Sequence, residues 1–213
     1  MEHLEDIAER VRESFEITTE VRDRALSQAR SLTRHCAQSI RSAHRNERKE
    51  AGESIEKARS LVEHLREDLK DFPEIYYAGY TQDALKEFAE ANIVFALLKN
   101  NNLPSPEELD LDYGVYLKGL AEAVGELRRR VLDILISGYS SEAERLLSNM
   151  DDLYSVLVTM DYPDAVTGGL RRLTDIVRSI TERTRGDMLI SLRNHQLEQS
   201  LEDVEIKLNN FKK

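Results

Sequence analysis

Two pairs of glutamates stand out for their spacing and their surroundings. In KEFAEANIVFALL, residues 86–98, Glu87 and Glu90 lie three apart at the head of a run that otherwise turns apolar. In GLAEAVGELRRR, residues 119–130, Glu122 and Glu126 lie four apart among the small neighbours Gly119, Ala121, Ala123 and Gly125. Such spacings put both members of a pair on one helical face, and small residues let a second helix approach. If the two helices are antiparallel neighbours, as their short connection favours, four carboxylates meet across one seam. Close carboxylates repel by about 3–4 kcal/mol per pair even at an effective dielectric constant of about 20. A cation must therefore sit among them, or some must be protonated. Oxygen donors without His or Cys fit Mg²⁺ or Mn²⁺ better than zinc. A di-iron bundle is excluded, because no His follows a Glu by three. The competing reading is a solvated face, since Glu is a good helix former and the chain is acidic.

The elements that must position these groups read as helices throughout. Apolar positions recur every three or four residues from Leu4 through Ile7, Val11, Val21, Ala25, Ala29, Leu32, Cys36, Ile40 and Ala43, interrupted only near Glu16 to Thr19. Some forty-five helical residues span on the order of 65 Å, too long for one compact partner, which points to a surface shared between subunits. Ala51-Gly52 is the expected break, followed by a helix from about Ser54 to Lys70. Pro73 starts a third, which runs on to Asn100. Ser105-Pro106-Glu107-Glu108 has the form of a capping box. A helix from about Tyr113 to Ser137 should stop at Gly138, and Ser141 with Glu144 should open the next, through about Thr159. A last long helix is expected over about Asp164 to Leu208, where Gly168 and Gly169 allow either a bend or a close backbone approach. The expected fold is all-α, a single domain over residues 1–213: an antiparallel bundle of about six or seven helices with very long first and last members.

Composition agrees. Charged residues make up 33% of the 213-residue chain, hydrophobic residues 40%, and there is no Trp. The one cysteine, Cys36, lies on the apolar series and reads as a small packed hydrophobe, so no disulfide forms within the chain. No apolar run is long enough to span a membrane, and the acidic, amphipathic N-terminus lacks the pattern of a secretion signal. A soluble, cytoplasmic protein is expected.

A net charge of −10 argues against nucleic acid being gripped over the whole surface. The positive charge is concentrated, however. Arg30, Arg34, Arg41, Arg45 and Arg48 recur at three, four or seven residues and would form one stripe, and Arg128, Arg129 and Arg130 follow the second acidic pair. Such a stripe is either an ordinary solvated face or a phosphate-binding track. Tyr77 or Tyr80 could stack on a base, although core tyrosines are commoner.

The runs YYAGYTQDALKEFAEANIVFALL, VYLKGLAEAVGELRRRVLDILISGYS and GGLRRLTDIVRSITERTRGDMLISLRN, in this order and over nearly the whole chain, resemble the translin and translin-associated factor X (TRAX) family. In that family translin binds single-stranded nucleic acid, and TRAX is a metal-dependent ribonuclease with a Glu-x-x-Glu pair and an Asp-x-x-x-Glu pair. The resemblance implies that Glu87, Glu90, Glu122 and Glu126 are the metal-binding and catalytic set. Glu replaces Asp at position 122, which keeps the charge and lengthens the arm. It further implies Mg²⁺ or Mn²⁺ as cofactor, single-stranded RNA as substrate and cleavage leaving a 5′-phosphate. Arg30, Arg34, Arg41, Arg45, Arg48 and Arg129 become the RNA-facing set. The family assembles as hollow octamers around nucleic acid, so a homo-oligomer, an octamer, is expected, with room for a second, translin-like subunit. Two alternatives stay open: a translin-like binding protein without catalysis, and a helical scaffold.

Overall fold

The structure, a computed structural model, describes residues 2–211. Among them are eight helices and no strand: α1 (Glu2–His44), α2 (Arg48–Leu69), α3 (Pro73–Tyr76), α4 (Gly79–Leu98), α5 (Tyr113–Leu135), α6 (Ser141–Leu157), α7 (Asp164–Thr167) and α8 (Leu170–Phe211). Two of these are single turns, so the all-α reading with long first and last helices holds. Two compact units divide between Gly119 and Leu120, inside the unbroken helix α5.

In the first unit α1 packs along α2 and α4, and α2 also meets α4. The apolar series of α1 is buried from Ala25 through Leu32, Cys36 and Ile40 to Ala43. Its earlier members Leu4, Ile7 and Val11 are exposed, and Phe15 is 67% exposed. Helix α4 is buried almost all round, with Leu85, Phe88 and Ile93 at the centre of the core beside Leu32, Leu65 and Leu69. An all-round apolar helix is what a central position demands.

The break after α1 is not at Ala51-Gly52, as the sequence led us to expect. It falls at Arg45-Asn46-Glu47, where Asn46 takes a left-handed φ of 60° and Glu47 N–H donates to Ser42 O at 2.9 Å. Asn visits that region more readily than other side-chain-bearing residues. Gly52 lies inside α2, where a Cβ would meet only the Phe95 ring, at 3.6 Å. The helix expected from Pro73 is likewise divided: α3 ends after one turn and Ala78 is extended, with the Thr81 hydroxyl donating to Ile75 O at 2.9 Å. After α4, Asn100 is left-handed, with φ 57°. The Ser105–Glu108 box forms reciprocally: Ser105 N–H donates to Glu108 Oε2 (2.7 Å), and Glu108 N–H donates to Ser105 Oγ (3.1 Å).

In the second unit α6 packs on α8, burying Leu146, Met150, Leu153 and Leu157 with Leu170, Val177 and Met188. Arg128 of α5 donates to Thr184 Oγ1 at 2.9 Å and pairs with Asp187, also at 2.9 Å, while Arg130 pairs with Glu142 at 2.9 Å. The cap of α6 is Ser140, one residue earlier than expected; its hydroxyl accepts from Ala143 N–H. The long helix expected from Asp164 breaks at Gly168 and Gly169, whose φ values are 57° and 88°. A Cβ at Gly169 would meet nothing within 4 Å, so this glycine serves a bend and not a close approach.

Candidate metal centre and nucleic-acid surface

Glu87 and Glu90 sit on successive turns of α4. Glu90 is only 8% exposed, and the Glu87 side chain is 30% exposed. Cys36 of α1 lies close enough to feel both charges. Burial, and then the charges of Glu87 and Glu90, push its thiol far above the usual range. Cys36 is therefore a protonated, packed thiol in the metal-free chain, and its sulfur is not in the close group of carboxylates described below. Lys86 Nζ stands 3.6 Å from Glu87 Oε1 with its own side chain only 17% exposed.

Helix α5 reaches α4 at Gly119. A Cβ there would come within 2.6 Å of Ala89 Cβ and 2.9 Å of both Glu90 N and Lys86 O, so only glycine permits this crossing. Gly125, the other glycine expected to ease helix contact, has nothing within 4 Å of a built Cβ. Glu122 lies on the turn of α5 after Gly119. One carboxylate oxygen each from Glu87, Glu90 and Glu122 lies within 4.8 Å of the others. Among the described residues this is the one group of three or more His, Cys, Asp or Glu side chains gathered so closely. Glu126, the fourth residue of the expected quartet, is not in the group; Arg129 Nη1 stands 3.6 Å from its Oε2.

The donor set is hard oxygen alone. Ligand oxygens on an ion with metal–oxygen bonds of about 2.1 Å stand about 3–4 Å apart. The observed spread is within a small side-chain adjustment of that, so the three residues could hold a metal ion.

The basic set is not one continuous helical stripe. Arg30, Arg34 and Arg41 are exposed on α1, Arg45 lies in the turn beyond it, and Arg48 opens α2. Arg45 is held by Glu47, donating from Nε at 2.8 Å and from Nη2 at 2.6 Å. The end of α1 at His44 is the reason, because it moves Arg48 onto a different axis. Of the later arginines, Arg128 and Arg130 make the ties described above, and Arg129 is exposed. Tyr77 is 63% exposed, edge-on to Tyr76 with ring centres 5.0 Å apart. Tyr80 is half-buried.

Sequence reading missed two members of the neighbourhood. Cys36 was legible as buried, but not as lying close to the acidic pair. Lys86 was legible only as the residue four before Glu90, a spacing that puts the two on one face.

No family model matches the chain. It is 36% identical over 192 residues to uncharacterized protein MJ0175 of Methanocaldococcus jannaschii, covering 89% of this chain and 84% of that one. Among solved structures it is similar to AfC3PO, with a TM-score of 0.80, 31% identity and coverage of 87% of this chain and 97% of that one. A duplex RNA complex of AfC3PO matches with a TM-score of 0.79, 30% identity and 87% and 96% coverage. Apo-NeC3PO matches with a TM-score of 0.79 at 25% identity, over 86% and 96% of the two chains. At 30% identity or more over nearly the whole length of the two AfC3PO chains, the chain belongs to the translin family.

Proposed function

We propose that this chain is a metal-dependent ribonuclease of the TRAX-like branch, hydrolysing phosphodiester bonds of single-stranded RNA inside a self-assembled oligomer. The observation that carries the reading is the approach of Glu87, Glu90 and Glu122 to within 4.8 Å on two helices. These three would hold Mg²⁺ or Mn²⁺. Such an ion, when bound, activates a water for attack on phosphorus and stabilises charge on the leaving 3′-oxygen. In this reading Glu126, one turn beyond Glu122, would orient or deprotonate that water, and Arg129 beside it would meet a phosphate. Low exposure of Glu90 keeps the local dielectric low and strengthens each of these interactions.

RNA as the ligand is supported by the AfC3PO complex with duplex RNA, and by the exposed Arg30, Arg34, Arg41, Arg48 and Arg129 in an otherwise acidic chain. Self-assembly is supported by apolar surface that lacks a partner within either unit: Leu4, Ile7, Val11 and Phe15 on α1, and Ile190, Leu197, Leu201 and Val204 on α8. The four on α8 follow one another at seven, four and three residues, the spacing of a helix–helix seam. We extend the proposal to an octamer in the cytoplasm with its arginines facing the enclosed RNA, and to a second, translin-like subunit as a companion. One further reading has an observation behind it. Glu in place of Asp at position 122, with Glu126 outside the close group, would suit a translin-like protein that binds RNA without cutting it.

The deciding experiment incubates purified protein with a labelled single-stranded RNA and with its duplex, first with Mg²⁺ or Mn²⁺ and then with EDTA. We expect cleavage of the single strand that EDTA abolishes, and light scattering should give a multiple of the 24.5 kDa chain mass. Binding with no cleavage in either metal would overturn the nuclease in favour of the binding protein, and a monomeric mass would remove the enclosed site.

Arg34→Ala tests the RNA track separately. Removing one phosphate-binding charge lowers the slope of log affinity against log salt by about 1. We expect weaker binding with that reduced slope; an unchanged slope makes the Arg34 face merely solvated.

A further inference from the structure

Lys86 is an unusually sheltered lysine. Its side chain is 17% exposed, whereas lysines ordinarily keep the ammonium in water. It precedes Glu87 directly, shares a helical face with Glu90 one turn on, and its carbonyl oxygen lies where α5 touches α4 at Gly119. Its Nζ stands 3.6 Å from Glu87 Oε1, at the edge of a group of three carboxylates. A sheltered ammonium needs negative partners, and three gathered carboxylates need positive charge.

Resting on the metal site proposed above, we propose that Lys86 is the built-in counter-ion of the Glu87, Glu90 and Glu122 cluster: it holds the cluster together when no divalent ion is present and opposes the entry of one. The charges make both halves necessary. Three carboxylates and one ammonium sum to a charge of about −2, which a divalent ion can match. Removing the ammonium leaves the carboxylates to repel one another in the metal-free chain and raises the field that attracts the ion. Lys86 is thus a positioning residue, which offsets the repulsion among the carboxylates and sets how strongly they take metal.

The test uses the full chain with Lys86→Met, Lys86→Arg, Glu90→Gln and the double variant Lys86→Met/Glu90→Gln. Thermal melts in EDTA read the counter-ion role without any metal. We expect Lys86→Met to lower Tm, Lys86→Arg to keep most of it, and Glu90→Gln to restore part of the loss in the double variant. Equal Tm for wild type and Lys86→Met, or a double variant equal to the sum of the singles, overturns the proposal. Calorimetric titration with Mn²⁺ alone reads the second role. We expect about tenfold tighter binding by Lys86→Met, one pK unit of charge interaction being a factor of ten, and loss of that binding with Glu90→Gln. Unchanged or weaker Mn²⁺ affinity in Lys86→Met overturns the opposition to metal. If no variant binds Mn²⁺ while the melts still show coupling between Lys86 and Glu90, the metal reading fails and the counter-ion assignment stands.

Discussion

Glu90→Gln is expected to abolish RNA cleavage while leaving the helical content and the assembled mass unchanged. The amide keeps the shape of the side chain, so packing around this nearly buried position is preserved. What it removes is one of three anionic oxygen donors and, with it, a full negative charge in a sheltered site. The two remaining carboxylates would hold a divalent ion more weakly. A fall in turnover of at least about a thousandfold, roughly 4 kcal/mol of barrier, is the expected scale. The same change relieves repulsion in the metal-free chain, so its Tm in EDTA should hold or rise. Loss of activity with retained or increased stability separates a site residue from a structural one. Wild-type turnover in Glu90→Gln would remove this residue from the chemistry, and a collapse in Tm would make its role structural.

The second large effect is expected at a residue with no side chain. Gly119→Ala should gain roughly 1 kcal/mol from helix propensity. Against this, the new methyl group meets Ala89 Cβ at 2.6 Å and two backbone atoms of α4 at 2.9 Å, none of which can swing aside. Overpacking of this kind costs about 3 kcal/mol. The net loss of about 2 kcal/mol corresponds to a fall in Tm of roughly 4–8 °C for a chain of this size. Relief of the clash must displace α5 from α4, and Glu122 moves with α5. Mn²⁺ affinity should therefore fall together with Tm, although Gly119 offers no ligand atom. Gly125→Ala is the internal control: nothing lies within 4 Å of its Cβ position, so it should be neutral or mildly stabilising. Calorimetric melts of the two variants side by side decide the matter, and equal Tm values would mean that the helices do not cross at Gly119.

Much of this architecture could be read along the chain because it depends on local periodicity. The burial of α1 from Ala25 to Ala43 follows the three- and four-residue spacing of its apolar side chains, and the Ser105–Glu108 box forms as its four letters imply. Helix ends were less legible. Glycine is the obvious stop, yet α1 ends at Asn46 while Gly52 continues α2, because a left-handed residue is required and Asn can supply it. Capping Ser140 is hidden by a second serine beside it, and nothing in the residues around Lys86 marks it as sheltered.

For the candidate site the division is clear. The sequence by itself determined that Glu87 with Glu90, and Glu122 with Glu126, each share a helical face, since the turn of the helix fixes the direction in which each side chain points. Only the tertiary structure decided that Glu122 joins the α4 pair and that Glu126 stands outside it beside Arg129. Periodicity sets direction about one axis and carries no information on where along that axis another helix crosses. Here that point is set at Gly119 by the contact that only a missing Cβ allows, one turn from Glu122 and two from Glu126.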